Sequence, residues 1–211
     1  PGVSGAYNDL QYQSSSTWHD SGTNGADGLV QGSGASSGTD AYGPYTTTTL
    51  TSYINNSINL SSPFTISIIA NLNPSTYWAS LWGCDTYNSV GNGGWYAYMS
   101  ASNQLNFGSA GATGSIITAD PGDVTGRNLW TFVWDGSTAT MYKNSTQLAT
   151  GSVSNPTGSH PNNTNWGARH TNAGATYTDA CPGTYRRLLR YNSALSSSQV
   201  TSNYNAFKSN Y

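Results

Sequence analysis

Residues 128–151, NLWTFVWDGSTATMYKNSTQLATG, constrain the fold more than any other stretch. Their side chains alternate with period two, which in an extended chain sends successive residues to opposite faces. Trp130, Phe132 and Trp134 share one face, and Leu129, Thr131, Val133 and Asp135 share the other. Asp135-Gly136 offers the positive-φ positions of a tight hairpin turn. Ala139 and Met141 then oppose Thr138, Thr140 and Tyr142, and Asn144-Ser145 turns the chain into a short strand at 147–149. The spacing predicts a three-strand antiparallel meander.

Other stretches carry the same period. In 64–72 (FTISIIANL), Phe64, Ile66, Ile68, Ala70 and Leu72 share a face between Pro63 and Pro74, which predicts a core strand. Residues 77–83 and 94–100 read as a strand pair around the polar loop 84–93, and 183–191 reads as a late strand. Residues 46–60 are Thr-rich and predict a strand leading to another, whereas 32–45 (GSGASSGTDAYGPY) is expected to be a flexible loop or a loop ordered only by a partner. At the C-terminus, Ser196–Gln199 forms an S-x-x-Q capping box with Leu195 and Val200 as its hydrophobic staple. Val200, Tyr204 and Phe207 then align on one helical face, so a short helix is predicted from about Ser197.

The meander resembles the W-x-x-V-x-x-x-D-G-S…Y-x-N-G segment of laminin-G-like domains, in the concanavalin-A-like lectin and glucanase group. Trp130, Val133, Asp135, Gly136, Ser137, Tyr142 and Asn144 carry the match, and Ser145 replaces the usual glycine. Residues 18–28 are similar to the family's D-x-S-G-N-G-x-x-G opening, and Phe64 begins its F-T-I-S strand. Residues 183–192 resemble G-x-I-D-D-V-R-I-Y-N through Gly183, Leu188, Tyr191 and Asn192, with Arg186 and Arg187 where acidic residues are usual. The helix resembles the family's N-R-A-L-S-x-x-E-I…Y ending. The resemblance implies an all-β, two-sheet antiparallel jelly-roll sandwich over 1–211, with one short C-terminal helix and 1–17 as an N-terminal extension. It also implies the kind of module found on bacteriophage particles, as capsid decoration or in tail fibres and spikes.

Several functions are excluded by what the chain lacks. Only 8 % of residues are charged and the net charge is −2, so there is no electrostatic hold on nucleic acid or acidic membranes. No apolar run approaches membrane-spanning length. The sequence contains no glutamate, and its nine acidic residues are aspartates scattered through turns. Glycoside hydrolysis needs two carboxyls flanking the scissile bond, so no enzyme activity is expected. His19, His160 and His170 are isolated, and no HExxH or nucleophile elbow is present. Counting from Asp20, an EF-hand would place Gly22 and Gln31 at ligand positions, so no metal or cofactor is expected. No leader is visible before Pro1, a start that fits a signal already removed as well as loss of an initiator methionine, and the reading leans toward cytosolic synthesis.

Two loops have a sugar-binding composition, an aromatic platform beside directed hydrogen-bonding groups. One holds Asn165, Trp166, Arg169 and His170, and the other holds Asp85 and Tyr87. The competing reading makes Trp166 a core residue. Arg186 and Arg190 alternate in phase on the 183–191 strand, so they are expected to face one way, opposite Arg187, and to dock a partner subunit. Cys84 and Cys181 either form a long-range disulfide or remain buried thiols, and the sequence leaves both open. The expected role is a non-enzymatic virion surface protein whose partners are other virion proteins, further copies of itself, or host-surface glycans. A secreted, extracellular lectin-like module is the alternative.

Overall fold

The computed structural model describes residues 6, 8–14, 16–56, 60, 63–74, 78–84, 93–110, 114–156, 164–171 and 176–210. The N-terminal quarter supplies β1 (Asn8–Ser14), β2 (Thr17–Asp20), β3 (Gly28–Gly32), β4 (Ser36–Asp40), β5 (Gly43–Thr48) and β6 (Ser52–Asn56). Next come β7 (Phe64–Leu72), β8 (Ala79–Gly83), β9 (Trp95–Met99), β10 (Leu105–Ser109) and β11 (Ile116–Ala119). The meander is β12 (Asn128–Trp134), β13 (Thr138–Lys143) and β14 (Thr146–Ser152). Three short strands, β15 (Thr164–Trp166), β16 (Arg169–Thr171) and β17 (Thr176–Thr178), precede β18 (Gly183–Tyr191) and the helix α1 (Ser197–Phe207).

The two layers are one antiparallel sheet folded over. Hydrogen bonding runs β11-β10-β9-β8-β15-β6-β3-β2-β1-β18-β7-β12-β13-β14, with β5 beside β18 and β4 beyond it. The far ends of the sheet meet through side chains. Ser109 Oγ donates to Ser154 O at 2.8 Å, and Ser154 N donates to Ser115 Oγ at 3.0 Å.

Period-two alternation decides what lies between the layers. Phe64, Ile66, Ile68 and Ala70 of β7 and Trp130, Phe132 and Trp134 of β12 point inward and are at most 1 % exposed. Trp82, Trp95 and Phe107 meet them from the other layer. The outward residues of the first layer are covered too. Ile69, Leu129, Val133, Tyr142 and Leu189 pack under Leu195, Val200 and Phe207 of the helical ending. The helix begins as its cap dictates: Ser196 is extended (φ −69°, ψ 161°), and its side chain and that of Gln199 cap each other's backbone.

Three expectations are corrected. Residues 32–45 are not a loop, because β4 pairs with β5 from Ser36↔Thr47 to Asp40↔Gly43. Ser37 and Thr46 share a hydroxyl hydrogen bond at 2.9 Å, so residues that read as turn formers are held as a hairpin by their cross-strand partners. Residues 8–14 are not an arm, because β1 lies between β2 and β18 and its Leu10 is fully buried. At the 135–137 turn only Gly136 has positive φ, at 111°. Asp135 instead accepts N–H bonds from Ser137 and Thr138, and those bonds lower its carboxyl pKa. Asp20 works the same way, accepting from the backbone of Asp9, Gly22 and Ala26, which is the turn-forming role expected of it.

Cys84 and Cys181 are both fully buried thiols, not joined in a disulfide. Burial pushes the Cys181 thiol up to about 12, so it is protonated and unreactive at neutral pH. A thiol-reactive dye should therefore label neither cysteine in the native protein and both in denaturant. No labelling in denaturant without reductant would reveal a disulfide. Replacing Phe64 with alanine should destabilise the protein by about 3–5 kcal/mol, read as a lower urea midpoint. A change below about 1 kcal/mol would show that the interlayer aromatic packing is not what holds the layers together.

Candidate functional site

The outward face of the second layer carries an aromatic ridge. The segment WYAYM alternates, so Trp95, Ala97 and Met99 enter the core while Tyr96 and Tyr98 point away from it. Trp78, just before β8, lays its ring on Tyr98 with centroids 5.0 Å apart. Tyr98 in turn stacks on Tyr96 at 5.4 Å and 25°. Six of the seven tryptophans are at most 1 % exposed, whereas Trp78 is 47 % exposed. Its backbone is also left-handed, with φ 65°, a conformation that costs a bulky L-residue roughly 1–2 kcal/mol. A large apolar ring is thus held toward solvent in a strained backbone. The contact with Tyr98 is what fixes its direction.

Polar groups flank the ridge at sheet register. Tyr98 pairs with Ser80 of β8 and with Asn106 of β10, and Asn106 pairs with Thr118 of β11. The Asn106 amide donates to Gln104 O at 2.9 Å and accepts from Thr118 Oγ1 at 2.7 Å, so its orientation is fixed. On the next rung Tyr96 pairs with Gly108, and Gly108 with Ile116, which is 44 % exposed. Trp78, Tyr96, Ile116 and the Thr118 hydroxyl reach the surface of this face, whereas Tyr98 and Asn106 are at most 5 % exposed and form its base. None of these residues is ionisable near neutral pH. Such a surface can lay an aromatic face against C–H groups while directed polar groups meet hydroxyls.

Of the residues singled out from sequence for sugar binding, Asn165 and Trp166 are described in full. Trp166 and Asn165 lie in β15, beside β8, and both are fully buried. Trp166 belongs to the interlayer core, so its ring offers no stacking platform. Asn165 Oδ1 accepts from Asn55 Nδ2 at 2.6 Å, a bond within the sheet. Arg169 and His170 lie in β16, paired with Thr178 and Tyr177 of β17, and their side chains fall outside what is described. Asp85 and Tyr87 lie outside the described residues. Trp78, Tyr96 and Tyr98 were missed, although the alternation in WYAYM already separates the two tyrosines from the core set.

The arginine expectation is corrected by a β-bulge. Register shifts between Tyr185 and Arg187 break the alternation of β18. Arg186 pairs with Asp40 through two bonds of 2.9 and 2.7 Å, and Arg187 pairs with Asp9 at 2.7 and 2.6 Å. Arg190 is 1 % exposed. Arg186 and Arg190 therefore do not form an exposed pair for docking. Among the described residues, no three His, Cys, Asp or Glu side chains converge as a metal site.

No curated protein sequence matches the chain at a significant level. Solved structures do. The binding domain of botulinum neurotoxin DC in complex with SialylT superposes with a TM-score of 0.73 at 14 % identity, covering 97 % of this chain and 52 % of that one. The type G botulinum neurotoxin receptor-binding domain gives 0.69 at 14 % identity, covering 96 % and 51 %. A botulinum neurotoxin type C structure, described as dependent on interaction with two ganglioside molecules for cell entry, gives 0.74 at 12 %, covering 96 % and 51 %. The chain spans about half the length of these neighbours, and at such identities the likeness is one of fold, a lectin-like jelly roll. The sequence profile of the concanavalin A-like lectin/glucanases superfamily matches residues 40–201, most of the chain, and the protein belongs to that superfamily.

Proposed function

We propose that this domain is a non-catalytic glycan-binding module whose recognition surface is the Trp78–Tyr98–Tyr96 ridge, and that it is carried on the surface of a bacteriophage particle. The observation that carries the binding reading is Trp78. Six buried tryptophans show where the fold puts this side chain when packing alone decides, and the seventh is turned outward on a stacked pair of tyrosines. The neutral flanking groups suit an uncharged sugar. The neighbours described with SialylT and with gangliosides are consistent with glycan recognition by proteins that contain this fold.

The non-catalytic part rests on the aspartates. Asp20, Asp27, Asp40, Asp120, Asp123 and Asp135 accept backbone N–H bonds in turns, and Asp9 is paired with Arg187. Those carboxylates hold local structure instead of flanking an open cleft as a pair.

The virion part rests on the surface. The chain has seven basic and nine acidic residues, and two of the arginines are consumed in ion pairs with Asp40 and Asp9. Much of the exterior is therefore hydroxyl, amide and glycine, which a neighbouring subunit can cover without desolvating ions. Mass spectrometry and antibody labelling should find the protein on intact particles. Its recovery as a secreted protein free of particles would favour the extracellular lectin-like module.

A glycan array followed by calorimetry tests the binding. Neutral oligosaccharides should bind and be recovered uncut. Trp78→Ala should weaken them about tenfold, the loss of roughly 1.4 kcal/mol of ring stacking. Binding that is indifferent to Trp78 would overturn the assignment, as would cleavage of the bound glycan.

A further inference from the structure

The first layer carries a different cleft on its own outward face. It encloses about 290 Å³, and its lining includes Thr47, Asn71, Asn73, Thr125, Pro182 and Thr184. Its floor is one row across three strands, because Asn71 of β7 pairs with Thr184 of β18, and Thr184 with Thr47 of β5. Period two puts this row outside, since Ala70, Leu72 and Tyr185 beside it enter the core. The three floor residues are half-buried, and Asn73 and Thr125 are exposed, so the polar groups face an open cleft.

The floor is incompletely hydrogen-bonded in two places. The Thr47 and Thr184 hydroxyls lie 3.2 Å apart, and one donates to the other. The second hydrogen has no acceptor among the described residues, so the pair offers a donor and several lone pairs side by side. Asn71 Oδ1 is buried and accepts no hydrogen bond among the described residues. Nothing in the wall therefore holds the Asn71 amide in one orientation, and a half-turn presents either its oxygen or its nitrogen to the cleft. Thr125 Oγ1 donates to Asp123 Oδ1 at 2.7 Å and is left to accept. No ionisable side chain lines the cleft. A carboxylate or ammonium group seated there would lose water without gaining a counter-charge, which disfavours charged ligands.

We propose that this cleft is a second binding site, for a single neutral sugar ring that presents two adjacent hydroxyls to the floor. A vicinal diol mirrors the threonine pair. Its two oxygens sit on neighbouring carbons and each can donate and accept, so together with Thr47 and Thr184 they close a ring of hydrogen bonds. The Asn71 amide takes a third hydroxyl, and the half-buried Pro182 offers its ring to C–H groups. A peptide group carries its donor and its acceptor on opposite edges and matches the hydroxyl pair less well. The volume lies at the small end of ligand pockets, which suits one ring and excludes a longer chain from full enclosure. The site lies on the other layer from the Trp78 ridge and does not rest on the role given to that ridge.

NMR titration of the full chain with methyl glucoside, methyl galactoside and methyl mannoside tests the site, read at the amides of Thr47, Asn71, Asn73, Thr125 and Thr184. At least one of the three should shift these amides to saturation. Its 3-deoxy analogue, which has no adjacent pair of ring hydroxyls, should bind about tenfold more weakly. Its uronide should bind no more tightly than the neutral glycoside. Thr47→Val combined with Thr184→Val keeps the branched shape and strand preference, and should weaken binding about tenfold with the thermal melt preserved. If that variant does not fold, the 3-deoxy comparison decides. Trp78→Ala should leave the cleft shifts unchanged, which separates this site from the ridge. The absence of saturable cleft shifts with all three glycosides would overturn the proposal, as would equal binding of the 3-deoxy analogue. Tighter binding of the uronide, or indifference to the valine pair in a folded protein, would overturn it as well.

Discussion

Phe64 touches Trp82, Trp95, Phe107 and Trp134 with ring centroids between 5.1 and 6.3 Å, mostly edge to face. Phe132 closes the cluster from the same layer, 5.9 Å from Trp82 and 5.4 Å from Phe107. The edge-to-face pairs set a positive ring edge against a negative ring face, a geometry that adds to the burial of area. The cluster spans both layers, so it fixes which face of β7, β8, β9, β10 and β12 is inside. Once that is fixed, period two fixes the outside as well. Tyr96 and Tyr98 are outward because Trp95 and Ala97 are inward. Asn71 is on the cleft floor because Ala70 and Leu72 are in the core.

The two outward faces then receive different fates. On the first layer α1 covers the stretch from Tyr142 to Leu189 and leaves the Asn71 row open at one end. At the tip of the β4–β5 hairpin the Tyr42 ring lies against the Arg127 guanidinium. On the second layer Trp78 extends the tyrosine pair into a ridge with neutral flanks. One fold thus offers two chemically distinct surfaces, an aromatic ridge on one layer and a row of hydroxyls and an amide on the other.

Much of the fold is legible in the sequence because period two and capping are local signals. The core strand 64–72, the meander and the capped helix from Ser197 appear where the pattern puts them. What was illegible depended on partners distant in sequence. Ser36–Asp40 has the composition of a turn, and only its pairing with β5 makes it a strand. Asn8–Ser14 gains its place from β18, more than 170 residues away by the register Asn8↔Arg190. The bulge at Arg186 could not be seen in GTYRRLLRY, so a strict alternation placed Arg190 on the surface when it is buried. The site followed the same logic. Asn-rich, Trp-containing loops drew attention to Trp166, which is core. Trp78 is distinguished from six other tryptophans only by a backbone turned to positive φ and by its contact with Tyr98.

The central claim is that a neutral glycan lies on the outward face of β8–β11. Amide and indole resonances followed by NMR during titration with a bound neutral oligosaccharide test it most directly. The account predicts shifts concentrated at the Trp78 indole and at Tyr96, Tyr98, Asn106 and Thr118, with the buried indoles of Trp130 and Trp134 unmoved. Shifts confined to another face, with the Trp78 indole unchanged at saturation, would contradict it.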